Sequence, residues 1–228
     1  MATIHSPAPK EILSMVEEEL FKIGGRFAEC TRHKGRLFLW ATVPHTRQVR
    51  PNDHVQGGVA VCTIGHEICI FPHVFRQMCR SGAIMSHTDG IKRLKRVPST
   101  SAPRALERIR NRVRNLVQVC TSSEMVTQLT DQLRVAAESD VDAGLQMSTV
   151  ISQLPRRHSS LLLSQILSQF HEDEDESVYG LMNAVAAVAR DEDDPETKWD
   201  LEELAGWVPM LVPSNQTYRD TAEVAVAS

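Results

Sequence analysis

The chain has 228 residues, of which 42% are hydrophobic and 24% are charged, values ordinary for a globular protein with one large domain or two small ones. No apolar run approaches the roughly 20 residues that cross a bilayer, and the first ten residues lack the apolar stretch of a signal peptide. The five cysteines are odd in number and lack close paired spacing, which indicates reduced thiols. We therefore expect a cytoplasmic protein that does not contact a membrane.

The net charge of −4 hides a strong segregation of charge along the chain. Residues 76–114 contain eleven lysines and arginines against two acidic residues, whereas residues 171–228 contain fifteen acidic residues against three basic ones. Such segregation indicates either an anionic partner for the middle of the chain or an acidic C-terminal half that folds over it. The sequence is compatible with both alternatives.

The first third of the chain predicts a helix followed by an antiparallel β-meander. In residues 11–23 apolar side chains recur at helical spacing, and Gly24 and Gly25 end the pattern. Stretches rich in Phe, Val, Ile, Trp and Thr follow up to residue 71, broken by turn residues such as Lys34–Gly35 and Gly65–His66. This pattern predicts three or four strands joined by tight turns.

The segment after the meander reads VFRQMCRSGAI and is expected to link the sheet to the helices. Pro72 is expected to open a short helix that runs to Arg80, and Gly82 to end that helix in the left-handed conformation. Arg76 and Arg80 would then share one helix face, with Cys79 turned inward. We interpret the segment as a structural hinge that also presents two cations.

From residue 101 onward the sequence predicts helices only. In residues 101–120 the apolar side chains fall within about a 100° arc of a helical wheel and the arginines lie outside it. The stretch Thr121-Ser-Ser-Glu124 has the form of a capping box, so a second helix should begin there. Further helices are expected near residues 140–153, 159–170, 176–190 and 196–205, with Gly206 ending the last one.

Together these elements predict an α+β protein of one domain in two parts. An N-terminal helix and antiparallel β-meander in residues 11–98 are followed by a mainly helical half in residues 99–208 that packs on them. Residues 1–10 are expected to be a disordered N-terminus, and residues 209–228 a tail.

Two groups of residues could in principle hold a metal or a reactive thiol. His66, Cys69, His73 and Cys79 are zinc-type donors, but an extended strand sends residues 66 and 69 to opposite faces. Cys79 stands between two arginines that would favour its thiolate, yet a nucleophile also needs a positioned base. We therefore predict buried or structural thiols and no metal.

Other catalytic patterns fail at their most diagnostic positions. A nuclease site built on Asp53 and Glu67 would lack the lysine that stabilises the attacking water. The chain contains no phosphate-binding glycine loop and no nucleophile elbow. The sequence therefore predicts a protein that is not an enzyme and needs no cofactor.

The basic middle of the chain is the strongest functional feature. Planar guanidinium groups suit phosphate oxygens, and each phosphate contact adds affinity and salt dependence. The scarcity of aromatic residues in this region predicts contacts to the nucleic-acid backbone rather than stacking on bases. The candidate nucleic-acid-binding residues are Arg76, Arg80, Lys92, Arg93, Lys95, Arg96, Arg104, Arg108, Arg110, Arg112 and Arg114.

Two separated blocks of the sequence carry a family resemblance. The first, VQGGVAVCTIGHEICIFPHVFRQMCRSGAI, ends in a pattern that falls on Pro72, His73, Phe75, Arg76, Cys79, Ser81, Gly82, Ala83 and Ile84. The second begins SVYGLMNAVAAVAR and places its motif on Tyr179, Gly180, Asn183 and Ala184. In this order the blocks resemble the phage/plasmid-like proteins of domain of unknown function 932, although Ser81 and Ala186 replace an asparagine and a threonine of that family.

The resemblance implies an association with phages, plasmids and other mobile elements, and it brings no established activity. We expect Cys79, Gly82, Tyr179 and Asn183 to be structural, with the buried amide of Asn183 capping or bridging backbone groups. The sequence thus predicts a non-enzymatic DNA-binding protein, for single-stranded or duplex DNA. The alternative is a protein-interaction or regulatory module whose basic face docks on an acidic protein surface, its own or a partner's.

Overall fold

The computed structural model describes residues 3–5, 7–65, 67–88, 94, 97–99, 102–156 and 158–212. It confirms the predicted α+β class, with an N-terminal helix, an antiparallel meander and a mainly helical C-terminal half. The strands are β1 (Thr3–His5), β2 (Arg26–His33), β3 (Arg36–Arg50), β4 (Asp53–Ile64), β5 (Glu67–Arg76), β6 (Ser81–Ile84) and β7 (Val97–Ser99). The helices are α1 (Pro9–Lys22), α2 (Ala102–Cys120), α3 (Ser123–Ala137), α4 (Ser148–Gln153, after a π-helical turn at Ala143–Met147), α5 (Ser159–Glu172), α6 (Val178–Arg190) and α7 (Pro195–Trp207, continued by a 3₁₀ turn at Val208–Leu211).

The main sheet is a curled antiparallel meander in which β2 to β6 follow one another in chain order. Its first hairpin turns at Lys34 and Gly35, whose φ angles of 48° and 77° match the left-handed conformations of a tight two-residue turn. A separate pair of short strands joins β1 to β7. The long central strands β3, β4 and β5 therefore form the platform on which the helices pack.

Both faces of this platform are buried, because successive side chains of a strand point to opposite faces. Leu37 and Leu39 of β3 face a core made with α1 and α2. Phe38 and Trp40 alternate with these leucines along β3 and face the other side, where Trp199 of α7 closes an aromatic cluster. The sheet thus separates α1 and α2 on one face from α7 on the other.

The remaining helices gather around α6, which is buried on nearly all sides. An apolar cluster joins α6 to α3, α5 and α7 and reaches the sheet at Val55, Val74 and Ala83. A helix that is apolar all round belongs in the interior of a domain, which explains the alanine-rich composition of α6. No helix within the described ranges is both long and apolar enough to cross a bilayer.

The predicted helix from Pro72 to Arg80 is wrong, because β5 continues through Pro72 to Arg76. The carbonyl of Pro72 accepts a hydrogen bond from the backbone N–H of Met85, just beyond the end of β6. Since the nitrogen and carbonyl of one residue in an antiparallel strand point to the same side, the missing N–H of Pro72 removes no bond from the ladder with β4. Arg76 and Arg80 consequently share no helix face.

The roles predicted for two glycines are also wrong. Gly82 lies within β6, where a side-chain Cβ would come within 2.2 Å of Nε2 of His73, so the glycine makes room for the His73 ring. Gly206 lies inside α7, where a Cβ would come within 2.0 Å of the carbonyl oxygen of Ile84. Both glycines permit close packing and neither ends a helix.

Candidate nucleic-acid interface

The outer face of α2 carries a row of arginines. Arg104, Arg108 and Arg112 are exposed and follow one another at intervals of four residues. At the rise of an α-helix their Cα atoms are about 6 Å apart, so the row extends over about 12 Å of the helix. The apolar side of the same helix, including Val113 and Val117, is fully buried against the sheet and α1. The predicted division of α2 into a core face and an arginine face is confirmed.

The two remaining arginines of α2 lie beside this row and are half-buried. Nε of Arg114 lies 3.0 Å from Oε1 of Glu19, a carboxylate of α1 that is only 3% exposed. Arg110 has a buried Nε without a hydrogen-bond partner in the described part of the chain. Among the described residues, Arg114 is therefore the only arginine of α2 that forms an ion pair.

Glu19 collects three donors where α1 meets α2. Lys22 Nζ lies 2.6 Å from one carboxylate oxygen, and the amide of Gln118 donates to the other. Burial on its own would raise the pKa of Glu19, but the hydrogen bonds from Lys22 and Arg114 outweigh it and lower the pKa below its ordinary value. This contact fixes α1 against α2 and leaves the arginine row on the outside.

The other predicted arginines do not join this row. Arg76 is bound by both carboxylate oxygens of Asp53, with Nε at 2.9 and 3.0 Å, and its side chain is only 18% exposed. Arg80 lies in the turn between β5 and β6, at a positive φ of 52°, and is exposed. Lys92, Arg93, Lys95 and Arg96 lie outside the described residues. Leu94 is described, and its backbone pairs with Ile68 of β5, which belongs to the core beneath α2.

Arg76 belongs instead to a junction centred on Tyr179 of α6. The guanidinium carbons of Arg76 and Arg50 each lie 5.6 Å from the centre of the Tyr179 ring. Arg50 also binds Asp175 at 2.7 Å and donates to the hydroxyl of Ser177 at 3.0 Å. The junction thus ties the ends of β3 and β5 to the start of α6.

The residues predicted to be structural meet at or near this junction. Cys79 accepts a hydrogen bond of 3.4 Å from Arg76 at its sulfur and one of 2.8 Å from Arg190 at its carbonyl oxygen. Burial, and then the negative charge of Asp53, raise the pKa of the Tyr179 hydroxyl. The amide of Asn183 lies beside that hydroxyl, and among the described residues its Oδ1 makes no hydrogen bond, so the predicted backbone bridge is not observed. The two blocks of sequence that carry the family resemblance therefore meet in space.

The acidic residues of α7 face the opposite side of the sheet from α2. Glu196 lies 3.0 Å from Lys34 and 2.7 Å from Arg36, both of the β2–β3 hairpin. Asp200 lies in the wall of a 370 Å³ surface pocket, where restricted solvation and the like charge of Glu203 raise the pKa of its carboxyl to about 6. No ion pair among the described residues joins this acidic surface to α2.

The candidate catalytic and metal-binding residues that the structure describes are not brought together in one site. Cys69 and His73 lie within the core below α7, Cys79 is bound to Arg76, and His66 is outside the described residues. Asp53 and Glu67 stand near opposite ends of the β4–β5 hairpin, about 35 Å apart along the strands, so they form no common site.

One other group of donors lies close together, formed by His33, Asp194 and Glu196, whose donor atoms are all within 4.8 Å of one another. Glu196 is already neutralised by Lys34 and Arg36, and Asp194 caps the N-terminus of α7 through the backbone N–H of Thr197. Two cations and a helix N-terminus oppose a further positive charge at this position.

No protein-family model, no curated protein and no solved structure matches this chain.

We expect Glu19→Gln to lower the free energy of unfolding by about 1–3 kcal/mol at neutral pH, because charge-assisted hydrogen bonds from Lys22 and Arg114 are lost. A lowered pKa in the folded state means that the contribution of Glu19 is fully present above its ordinary pKa of 4.5 and is lost as the pH falls through the folded-state pKa. Urea unfolding at several pH values measures both effects. Glu18→Gln, at the exposed neighbouring position, is the matched control and should change stability little. Equal stabilities of the two variants would contradict the role of Glu19.

We expect Asp53→Asn to destabilise the protein by about 3 kcal/mol, since it leaves the guanidinium of Arg76 largely buried without its carboxylate. Asp131→Asn provides the comparison, because Asp131 forms an exposed pair with Arg134 and its loss should cost at most about 1 kcal/mol. Urea unfolding of both variants measures the difference. A cost for Asp53→Asn no larger than that for Asp131→Asn would show that the junction does not depend on this ion pair.

Proposed function

We propose that the protein binds nucleic acid, with DNA as the first candidate, through the arginine face of α2. One observation carries the proposal: among the described residues, four of the five arginines of α2 form no ion pair, and three of these four are exposed. An extended anionic polymer is a natural partner for such a row, because each guanidinium can neutralise a phosphate and release counterions.

Two further features support an intermolecular partner. Glu196 of α7 is paired with Lys34 and Arg36 of the β2–β3 hairpin on the other face of the sheet, and no ion pair in the described part of the chain joins an acidic group of α7 to α2. Leu94 anchors the middle of the basic segment 92–96 to β5, on the face that carries α2. Four basic residues stand within two positions of Leu94 in the sequence, so they add positive charge near α2.

The mode of binding follows from the side chains that the surface offers. Beside the arginines α2 exposes Glu107, Asn111 and Asn115, and it contains no aromatic residue. Without aromatic platforms there is no stacking on bases, so affinity comes from the phosphate backbone and sequence preference is weak. The protein is then a binding protein without enzymatic activity, and its place among phage/plasmid-like proteins rests on the resemblance of the two sequence blocks.

The alternative function is docking of the same face on an acidic protein surface. The absence of aromatic residues from α2 is as compatible with docking on an acidic protein as with binding to a phosphate backbone, because charge pairing requires no aromatic anchor in either case. The two functions differ in their response to labelled DNA.

We expect fluorescence anisotropy to show binding of labelled single-stranded or duplex DNA at about 50 mM salt, weakening steeply by about 200 mM. The double variant Arg108→Glu/Arg112→Glu should reduce the slope of log K against log salt by about 2 and weaken binding at low salt. Arg26→Glu/Arg32→Glu changes the net charge equally at two exposed positions of β2 and is the matched control.

We expect the β2 variant to retain DNA binding and the α2 variant to lose it. Equal losses in both variants would show that net charge alone attracts DNA. Absence of binding by the unmodified protein at low salt would overturn the proposal and favour an acidic protein partner.

A further inference from the structure

The β4–β5 hairpin brings two cysteines directly opposite each other. Cys62 of β4 is the Cα partner of Cys69 of β5, and both side chains are fully buried in the aromatic cluster under Trp199. Directly opposite residues of an antiparallel pair have Cβ atoms about 4.5–5.5 Å apart, whereas a disulfide needs a Cβ separation of about 3.5–4.5 Å. A small approach of the two strands is therefore sufficient to join the sulfurs.

The two thiols already interact. The pKa of the Cys62 thiol is raised, first by a hydrogen bond with the Cys69 thiol and then by burial. Arg36 opposes this shift, since its guanidinium lies close enough to favour the Cys62 thiolate by charge and by hydrogen bonding. The net effect disfavours the Cys62 thiolate while the hairpin is closed, so the pair is expected to react when the hairpin opens and the sulfurs meet water.

Access to the pair is provided by the end of the hairpin. The turn begins at Gly65, which is exposed, and the adjoining Ile64 is 37% exposed. Cys62 lies two residues before Ile64 in β4, and opening of this end of the hairpin requires release of the bridge between Ile68 and Leu94 but not of the longer central ladder. Local opening at this end would expose the sulfurs without unfolding the domain.

We propose that Cys62 and Cys69 form a reversible cross-strand disulfide in the presence of a small-molecule disulfide such as glutathione disulfide. One cysteine thiolate attacks a sulfur of glutathione disulfide and releases one glutathione thiolate, which leaves a mixed disulfide on the protein. The second cysteine thiolate then attacks the protein sulfur of that mixed disulfide and displaces the other glutathione. The two protein thiols lose two protons and two electrons, and one glutathione disulfide becomes two glutathione molecules.

The position of the bond indicates sensitivity to redox conditions rather than reinforcement of the fold. It would close only the short loop between the cysteines, and short loops gain little from a crosslink in the unfolded chain. The strands must move together to form it, which makes the bond easier to reduce. Because Trp199 closes the same cluster, this movement acts directly on the packing of α7 against the sheet.

Incubation of the full chain with reduced and oxidised glutathione at a series of ratios tests the proposal. Free thiols are blocked with N-ethylmaleimide, and the protein is denatured in the presence of the same reagent. It is then digested with trypsin, and the peptides are analysed by mass spectrometry. Trypsin leaves both cysteines in one peptide, residues 48–76, because Arg50 is followed by Pro51. We expect this peptide to lose two hydrogen atoms and take up no N-ethylmaleimide, and to recover both thiols in dithiothreitol.

Cys120 is the internal control, since it is also buried and burial raises the pKa of its thiol to about 12, yet it lies on α2 in a different cluster. The disulfide should form at least about ten times faster than modification of Cys120, because local opening of the hairpin exposes Cys62 and Cys69, whereas exposure of Cys120 requires separation of α2 from its core. In Cys69→Ser the two-hydrogen loss should disappear and Cys62 should retain glutathione.

Two results would overturn the proposal. One is a peptide that carries two N-ethylmaleimide groups at every glutathione ratio. The other is a disulfide that appears no faster than modification of Cys120, which would mean that it forms only in the unfolded chain.

Discussion

Burial of both faces of the central sheet is the constraint on which the rest of the structure depends. Strands β3, β4 and β5 carry apolar side chains at successive positions, so neither face can be left to water. One face is covered by α1 and α2, and the other by α7 together with the cluster around α6. Helices α1, α2 and α7 present their outer sides to the solvent, whereas α6 is buried on nearly all sides. The charge segregation of the sequence therefore becomes a spatial separation, with arginines outside α2 and carboxylates outside α7.

The arginine row is costly to the helix that carries it. Arg104, Arg108 and Arg112 are like charges at intervals of four residues, and each such pair destabilises a helix by about 0.2–0.5 kcal/mol. Arg104 also lies in the first turn, where the helix dipole favours acidic residues. Burial of Val113 and Val117 and the ion pair between Arg114 and Glu19 offset this cost. A row that does not stabilise its own helix is consistent with a surface that serves a partner.

Much of the fold could be predicted from local patterns in the sequence. Helical spacing gave the faces of α1 and α2, and turn residues such as Lys34–Gly35 gave the hairpins. The prediction at Pro72 was wrong because proline usually opens a helix or ends a strand. Only the position of the neighbouring strand shows that the missing N–H of Pro72 removes no hydrogen bond from the ladder with β4. Gly82 and Gly206 were predicted to end helices because their close contacts cannot be seen in the local sequence. Gly82 contacts the His73 ring of the neighbouring strand, and Gly206 contacts the carbonyl of Ile84, which is distant in sequence.

The candidate site shows the same limit. The arginine face of α2 could be predicted because helical periodicity is local. The pairing of Arg76 with Asp53 and its contact with Tyr179 could not, since these partners are 23 and 103 positions away. The buried hydrogen bond from Trp40 to Glu202 joins residues still further apart. The sequence therefore predicted one binding surface for all basic residues of the segment. In the folded protein Arg76 lies in the junction around Tyr179, whereas Arg104, Arg108 and Arg112 lie on the surface.

The most direct test of DNA binding by the arginine face of α2 is arginine footprinting with phenylglyoxal, followed by mass spectrometry, with and without saturating duplex DNA at about 50 mM salt. We expect DNA to protect Arg104, Arg108 and Arg112 from modification, while Arg26 and Arg32 on β2 stay fully reactive. Equal reactivity of the α2 arginines with and without bound DNA, or protection of Arg26 and Arg32 instead, would contradict this expectation.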